Sequence, residues 1–324
     1  MEALLSVENL TTIFESENAS ARVVDGVSFR IGRAEAVGLV GESGCGKSVT
    51  ALSIMRLISS PPGRIDGGSI IFEDRDLLRL PEKEMRKVRG NKISIVFQEP
   101  LTSLNPVFTC GEQVREAIAL HRKLGRAESK ARAIEMLRLV RIPDPEKRYG
   151  AYPHQMSGGM RQRVMIAMAL SCEPQLLIAD EPTSALDVSV QGQIIELLGE
   201  LQERLRMAVL LITHDLAVVA QMASRVLVMY AGVIVEEAPV REIFTATAHP
   251  YTEGLLGSIA KIGARGGRLA AIPGNVPDPL SLPPGCRFSD RCPRRFDKCP
   301  TAEPPLFDVS SDHRSRCWLR EVRT

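Results

Sequence analysis

The sequence predicts an α/β protein. Its parts are a parallel sheet with a phosphate-binding loop, an antiparallel β edge, a helical insert and a small cysteine-rich C-terminal extension. Three observations predict this. An apolar run over residues 36–40 leads directly into Gly41-Glu42-Ser43-Gly44-Cys45-Gly46-Lys47-Ser48, which fits the phosphate-loop pattern G-x-x-x-x-G-K-[ST]. Further apolar runs over residues 176–179, 208–213 and 226–229 alternate with helical patterns, as strands covered on both faces do. Four of the seven cysteines, Cys286, Cys292, Cys299 and Cys317, crowd beyond residue 285.

Taken in order, residues 1–35 alternate apolar and polar side chains, as in Val27-Ser28-Phe29-Arg30-Ile31. That period of two suits antiparallel strands at a sheet edge. Residues 36–98 hold the phosphate loop, then apolar positions at Ala51, Leu52, Ile54, Met55, Leu57 and Ile58 with helical spacing, and end in a strand over 93–97. Residues 99–172 read as a helical insert, with helical patterns over 111–124 and 127–140. Residues 173–230 return to α/β alternation. After about 240 the composition shifts, and Pro273, Pro277, Pro279, Pro283 and Pro284 exclude a long strand or compact helix there. The expected domains are therefore 1–240, with a helical subdomain at about 99–172, and 241–324.

The bulk composition is that of a water-soluble globular chain: 324 residues, net charge +2 and 44% hydrophobic residues. No apolar run approaches the ~20 residues that span a bilayer. Residues 1–5 lack the basic start and long apolar core of a signal peptide. The charge balance gives no basis for nucleic acid binding, and the tail's arginines are interleaved with Asp290, Asp297 and Asp308. The reading is a cytosolic protein whose membrane role comes through partners.

The chemistry of the loop follows from its residue types. Glycines let successive backbone N–H groups face one concavity, and the helix N-terminus adds partial positive charge. Lys47 is placed to reach the β- and γ-phosphates, and Ser48 to ligate Mg²⁺. The strand over 176–179 ends in Asp180 and Glu181. An acid delivered there suits Mg²⁺ coordination by Asp180, with Glu181 as general base for the attacking water. Ser157-Gly158-Gly159 opens a helical run to Leu170, an arrangement that serves either anion binding or plain helix initiation.

The order of these motifs resembles the ATP-binding cassette (ABC) ATPases over about residues 5–240. It runs from the phosphate loop through Gln98 after a strand, Ser-Gly-Gly before a helix, Leu-Leu-Ile-Ala-Asp-Glu-Pro and Ser184-Ala185-Leu186-Asp187 to His214 after a strand. The resemblance implies ATP contacts from Gly41, Ser43, Gly44, Cys45, Gly46, Lys47, Ser48 and Val49. It makes Gln98 the residue that senses Mg²⁺ and couples to the membrane partner, and His214 a contact of the γ-phosphate. Ser157, Gly158 and Gly159 become a signature loop that binds ATP held by an opposing subunit. Phe14 lies where the family places an aromatic under adenine, and a core phenylalanine is the alternative. Two positions depart from the common pattern: Met160 ends the signature and Cys45 replaces the usual serine. Neither removes a catalytic side chain.

Tyr152 to Ala169, Gln98 to Pro106, His249-Pro250-Tyr251-Thr252 and Ile272-Pro273-Gly274 resemble the oligopeptide/dipeptide importer ATPases, most nearly their D-type members. This implies an ATPase that powers di- or oligopeptide import and pairs with a homologous F-type ATPase. It also implies two transmembrane permease subunits, a substrate-binding protein acting indirectly, and a peripheral place on the cytoplasmic face of the membrane. Another solute, such as glutathione or a nickel chelate, or a soluble non-transport ABC ATPase, are the alternatives. The spacing Cys286-x₅-Cys292-x₆-Cys299-x₁₇-Cys317 offers four soft ligands, suited to a [4Fe–4S] cluster or Zn²⁺. Members of the resembling family carry [4Fe–4S] there, and four unliganded thiols is the remaining reading.

Overall fold

The structure, a computed structural model, describes residues 3–16, 19–99, 103–258 and 272–321. The chain forms two compact units, one of residues 3–31, 36–78 and 213–324, the other of residues 32–35 and 79–212.

The first unit begins with β1 (Ala3–Ser16) and β2 (Ala19–Gly32), then β3 (Ala36–Val40) and α1 (Lys47–Ile54), followed by β4 (Gly63–Phe72) and β5 (Arg75–Asp76). The strands β2, β1, β4 and β5 form an antiparallel sheet in that order. Its central register runs from Leu5 opposite Phe72 to Phe14 opposite Gly63, with shifts between Glu8 and Thr12. The early period-two pattern therefore has its expected outcome. The helix after the phosphate loop is shorter than its apolar spacing suggests. It stops at Ile54, because Arg56 turns left-handed at φ 51°, and Leu57 is left 39% exposed.

The second unit carries α2 (Glu82–Val88), β6 (Ile93–Val96), α3 (Cys110–Arg122), α4 (Arg126–Leu139), α5 (Pro145–Tyr149), α6 (Gly158–Leu170), β7 (Leu176–Asp180), α7 (Val188–Leu205) and β8 (Ala208–Thr213). β6, β7 and β8 run parallel, with Ile93 beside Leu176 and Leu176 beside Ala208. Every residue of β7 and β8 is buried, which explains their unbroken apolar sequence. The two expected helices of the insert appear as α3 and α4. Thr109 caps α3 by accepting the Glu112 N–H at 3.4 Å. Pro100, Leu101 and Thr102 of the motif after Gln98 lie outside the described residues.

The chain then returns to the first unit through α8 (Leu216–Met222), β9 (Arg225–Tyr230), β10 (Val233–Pro239), α9 (Val240–Thr245) and α10 (Pro250–Gly257). Among its described residues the last segment contributes only β11 (Phe307–Asp308), β12 (Arg314–Ser315) and short turns, as its prolines demand. β3 lies parallel to β9, β9 pairs antiparallel with β10, and β12 adds to β10 through Glu236 opposite Ser315. The tail therefore belongs to the core of this unit. Glu236, fully buried on β10, accepts the Ala248 N–H (2.6 Å), the His249 N–H (3.0 Å) and His313 Nε2 (2.8 Å). Three partners for one buried carboxylate meet the desolvation cost that burial imposes. Among the described residues no helix is long and apolar enough to cross a membrane.

Candidate functional site

In the first unit the loop from Gly41 to Gly46 links β3 to α1. Gly44 (φ 80°) and Gly46 (φ 109°) occupy the left-handed region, which glycine enters without steric cost. Gly41 is required for a different reason. A Cβ there would stand 2.2 Å from the Met229 carbonyl oxygen and 2.7 Å from Cys45 Sγ. Ser43 and Gly44 are exposed at the tip, and Val49 is half-buried on α1. Lys47 is 5% exposed and donates to the Gly41 carbonyl (2.8 Å) and the Glu42 carbonyl (3.0 Å). Its ammonium thus lies folded over the concavity that the loop forms. Cys45 is fully buried, and that burial raises its thiol pKa. Its Sγ packs against Gly41.

α1 is tied to the antiparallel sheet by the Thr12 and Ser53 hydroxyls, 2.8 Å apart. Phe14, two residues further along β1, is half-buried, and its ring edge stands against Gly63 on β4. His214 is exposed immediately after β8, beside Asp215, which caps α8 by accepting the Ala217 N–H at 2.8 Å.

In the second unit, β6 and β7 end side by side. Gln98, two residues past β6, donates from Nε2 to Glu181 Oε2 at 3.1 Å. Asp180, the last residue of β7, is 6% exposed. Glu181 follows at φ 46°, a conformation rarely adopted by a non-glycine residue. Its N–H donates to the Ile212 carbonyl on β8 (2.9 Å), and its carbonyl accepts the Ser184 hydroxyl (3.1 Å). Both backbone groups are thereby fixed, and the strained turn directs the carboxylate to Gln98. Ser157 caps α6 by accepting the Met160 N–H at 3.3 Å. Gly158 and Gly159 form its first turn, and a Cβ on Gly159 would press on Val190 at 2.7 Å. Ser157 and Gly158 face solvent. Gln98 with Glu181, and Ser157 with its glycines, are thus assembled within one unit; Gly41 to Val49, Phe14 and His214 belong to the other.

The four tail cysteines are free thiols. Burial raises the pKa of Cys286 to about 12 and raises those of Cys292 and Cys317, so these three are protonated at neutral pH. Among the described residues no group of three or more His, Cys, Asp or Glu side chains is arranged to hold a metal ion. The expected four-thiolate [4Fe–4S] or Zn²⁺ site is therefore not supported by this structure. Ser48 in the first unit, and Gln98 and Asp180 in the second, each carry the hard oxygen that Mg²⁺ takes.

Contacts among Glu42, Tyr251 and Arg291 that sequence reasoning did not foresee also bear on the loop. The Glu42 N–H donates to the Tyr251 hydroxyl at 2.9 Å. The Glu42 carboxylate receives both arms of Arg291, at 2.7 and 2.9 Å. Glu42 sat within the loop pattern and Arg291 beside Cys292, but no local pattern links positions 249 residues apart.

Known proteins resemble this chain over most of its length. The ABC transporter family matches residues 24–184, and the oligopeptide/dipeptide transporter C-terminal region matches residues 235–299. The chain is 52% identical over 321 residues to the oligopeptide transport ATP-binding protein AppD of Bacillus subtilis, covering 99% of this chain and 98% of that protein. It is 49% identical over 315 residues to the dipeptide transport ATP-binding protein DppD of Escherichia coli, covering 97% and 96%. Among solved structures, the ATP-binding cassette MJ0796, in a dimeric post-hydrolysis state bound to ADP and Pi, superposes with a TM-score of 0.66. That match has 28% identity and covers 73% of this chain and 99% of the other. The fold is that of an ABC ATPase. The chain belongs to the ABC transporter ATP-binding proteins, in the group that carries the oligopeptide/dipeptide transporter C-terminal region.

Proposed function

We propose that this chain is the ATP-hydrolysing subunit of a di- or oligopeptide ABC importer. The observation that supports this most is the oligopeptide/dipeptide C-terminal region at 235–299, on a chain that aligns over its whole length with peptide transport ATP-binding proteins. ATP enters the loop of residues 41–48. Lys47 exchanges the carbonyls of Gly41 and Glu42 for phosphate oxygens, and the α1 N-terminus adds its N–H groups. Ser48, Gln98 and Asp180 would hold Mg²⁺, which neutralises phosphate charge when bound. Glu181 accepts a proton from the attacking water, and the Gln98 amide holds its carboxylate in place beforehand. His214 contacts the γ-phosphate, and Phe14 supports the adenine. Ser157, Gly158 and Gly159 complete an ATP site on an opposing ATPase, which we assign to an F-type homologue.

The membrane partners are two permease subunits, which place the chain on the cytoplasmic membrane face. Val107 (71% exposed) and Phe108 (55% exposed), just past Gln98 in the second unit, supply an apolar surface for their loops. A [4Fe–4S] cluster on Cys286, Cys292, Cys299 and Cys317 rests only on that donor set and on the nearness of the other three thiols to Cys286, whose pKa is raised first by burial and further by them. Iron analysis and a visible spectrum of anaerobically purified chain decide it.

The function is tested by purifying the chain with its membrane partners and reconstituting the assembly in vesicles. ATP-driven uptake of dipeptides or oligopeptides is expected, lost in Glu181→Gln. Uptake of glutathione or a nickel chelate but not peptides changes the cargo, and a chain that recovers no membrane subunits overturns the transport reading.

A further inference from the structure

The phosphate loop is held from outside by the C-terminal extension, within one compact unit. Arg291 is 6% exposed in its side chain and meets the Glu42 carboxylate with both guanidinium arms, at 2.7 and 2.9 Å. Its Nε donates to the Pro273 carbonyl at 2.9 Å, and its plane lies over the rings of Tyr230 (5.7 Å) and Phe288 (6.0 Å). Tyr230, Tyr251 and Phe288 pack together with centroids 4.6 to 5.3 Å apart, so the guanidinium is seated on a buried aromatic bed. Tyr251 in turn accepts the Glu42 N–H. A second tail arginine acts through the turn at Ala231 and Gly232. Arg287 donates to the Ala231 carbonyl (2.6 Å), and the adjacent Gly232 N–H donates to the Cys45 carbonyl (2.9 Å).

Glu42 is an acid inside a loop that has to receive a triphosphate. An unpaired carboxylate there repels the incoming phosphates, because like charges at short range in a partly dry site are screened little. A bidentate guanidinium removes that charge and fixes the side chain, which a single ammonium cannot do with the same geometry.

We propose that the C-terminal extension sets the ATP affinity of this chain, with Arg291 as a positioning residue that neutralises Glu42 and holds the loop open to phosphate. This rests on the reading that residues 41–48 bind ATP. The energetic signature is specific. Removing Arg291 harms binding chiefly by exposing the Glu42 charge, so removing that charge as well restores binding.

The test measures MgATP affinity of the full-length chain and KM against kcat of the assembled complex. Arg291→Ala is expected to weaken MgATP binding on the order of tenfold, and to raise KM for ATP more than it lowers kcat. Adding Glu42→Gln to that variant recovers most of the loss. Arg291→Gln, neutral and of similar reach, replaces Arg291→Ala if the latter does not fold, with the same outcomes. Wild-type affinity in the single variant, or no recovery in the double variant, overturns the proposal. Lys47→Ala separates the two readings: if it still binds MgATP as wild type does, the site reading itself fails.

Discussion

Gln98 and Glu181 are joined by a hydrogen bond of 3.1 Å between side chains 83 positions apart, from the ends of two adjacent parallel strands. The amide is the donor, so it holds the carboxylate in one orientation while leaving its charge intact. A general base needs that combination of fixed direction and available lone pair.

Glu181→Gln is expected to keep ATP binding and lose turnover by ~10²-fold or more in the assembled complex, since the amide keeps the shape and cannot take a proton. Steady-state ATPase assays beside nucleotide binding check this. Undiminished hydrolysis would remove Glu181 from its role.

Gly41→Ala should be severe for a steric reason. The new Cβ meets the Met229 carbonyl oxygen at 2.2 Å, a backbone atom that cannot rotate away. The expected result is a lower Tm and lost MgATP binding, read by thermal melts with and without nucleotide. Gly67→Ala, where a Cβ meets nothing within 4 Å, is the matched control and should melt close to wild type.

Acid sensitivity should trace to His249. It is 2% exposed, and its Nδ1 accepts the Tyr251 N–H at 3.0 Å. Burial pushes its pKa down to about 4. A histidine kept neutral by folding contributes stability that is complete above about pH 6.5 and is lost as pH falls towards 4, by up to roughly 3 kcal/mol. His313 opposes this: its hydrogen bond to Glu236 raises its pKa, so its contribution is complete below the unfolded value and fades as pH rises through the folded one. His249→Asn, which keeps a capping acceptor and does not titrate, should flatten Tm between pH 6.5 and 4. An unchanged slope would place the sensitivity elsewhere.

On the proposed assignment of Ser157, Gly158 and Gly159 to an opposing ATP site, the isolated chain should be a weak ATPase whose specific activity rises when a partner ATPase and permease subunits are added. Full activity in a dilute monomer would contradict that division.

The parts legible in the sequence share one property: their signal is local. The phosphate loop, the buried strands of residues 176–179 and 208–213, the Ser157 cap and both insert helices are written in short periods and spacings that backbone physics reads directly. What escaped was long-range or cooperative. The early stop of α1 at Ile54 depends on Arg56 turning left-handed against an apolar pattern that continues to Ile58. β10 holds Glu236 and Glu237, two acids that argue against a buried strand until Arg225, Arg314 and His313 arrive from elsewhere to pair with them. The cysteine spacing named possible ligands, yet spacing carries no information on how the fold arranges them around a common point.

The seating of Arg291 on Glu42 also bears on where this protein can be cut. A chain ending at residue 240 would retain every residue of the phosphate loop, the acidic strand end and the signature turn. It would nevertheless lack the Tyr251 hydroxyl that takes the Glu42 N–H and the guanidinium that takes its carboxylate. The shortest fragment with a native nucleotide pocket is thus fixed by the reach of the tail rather than by the last recognisable motif. Chimeras that exchange tails between such ATPases would exchange part of the pocket with them.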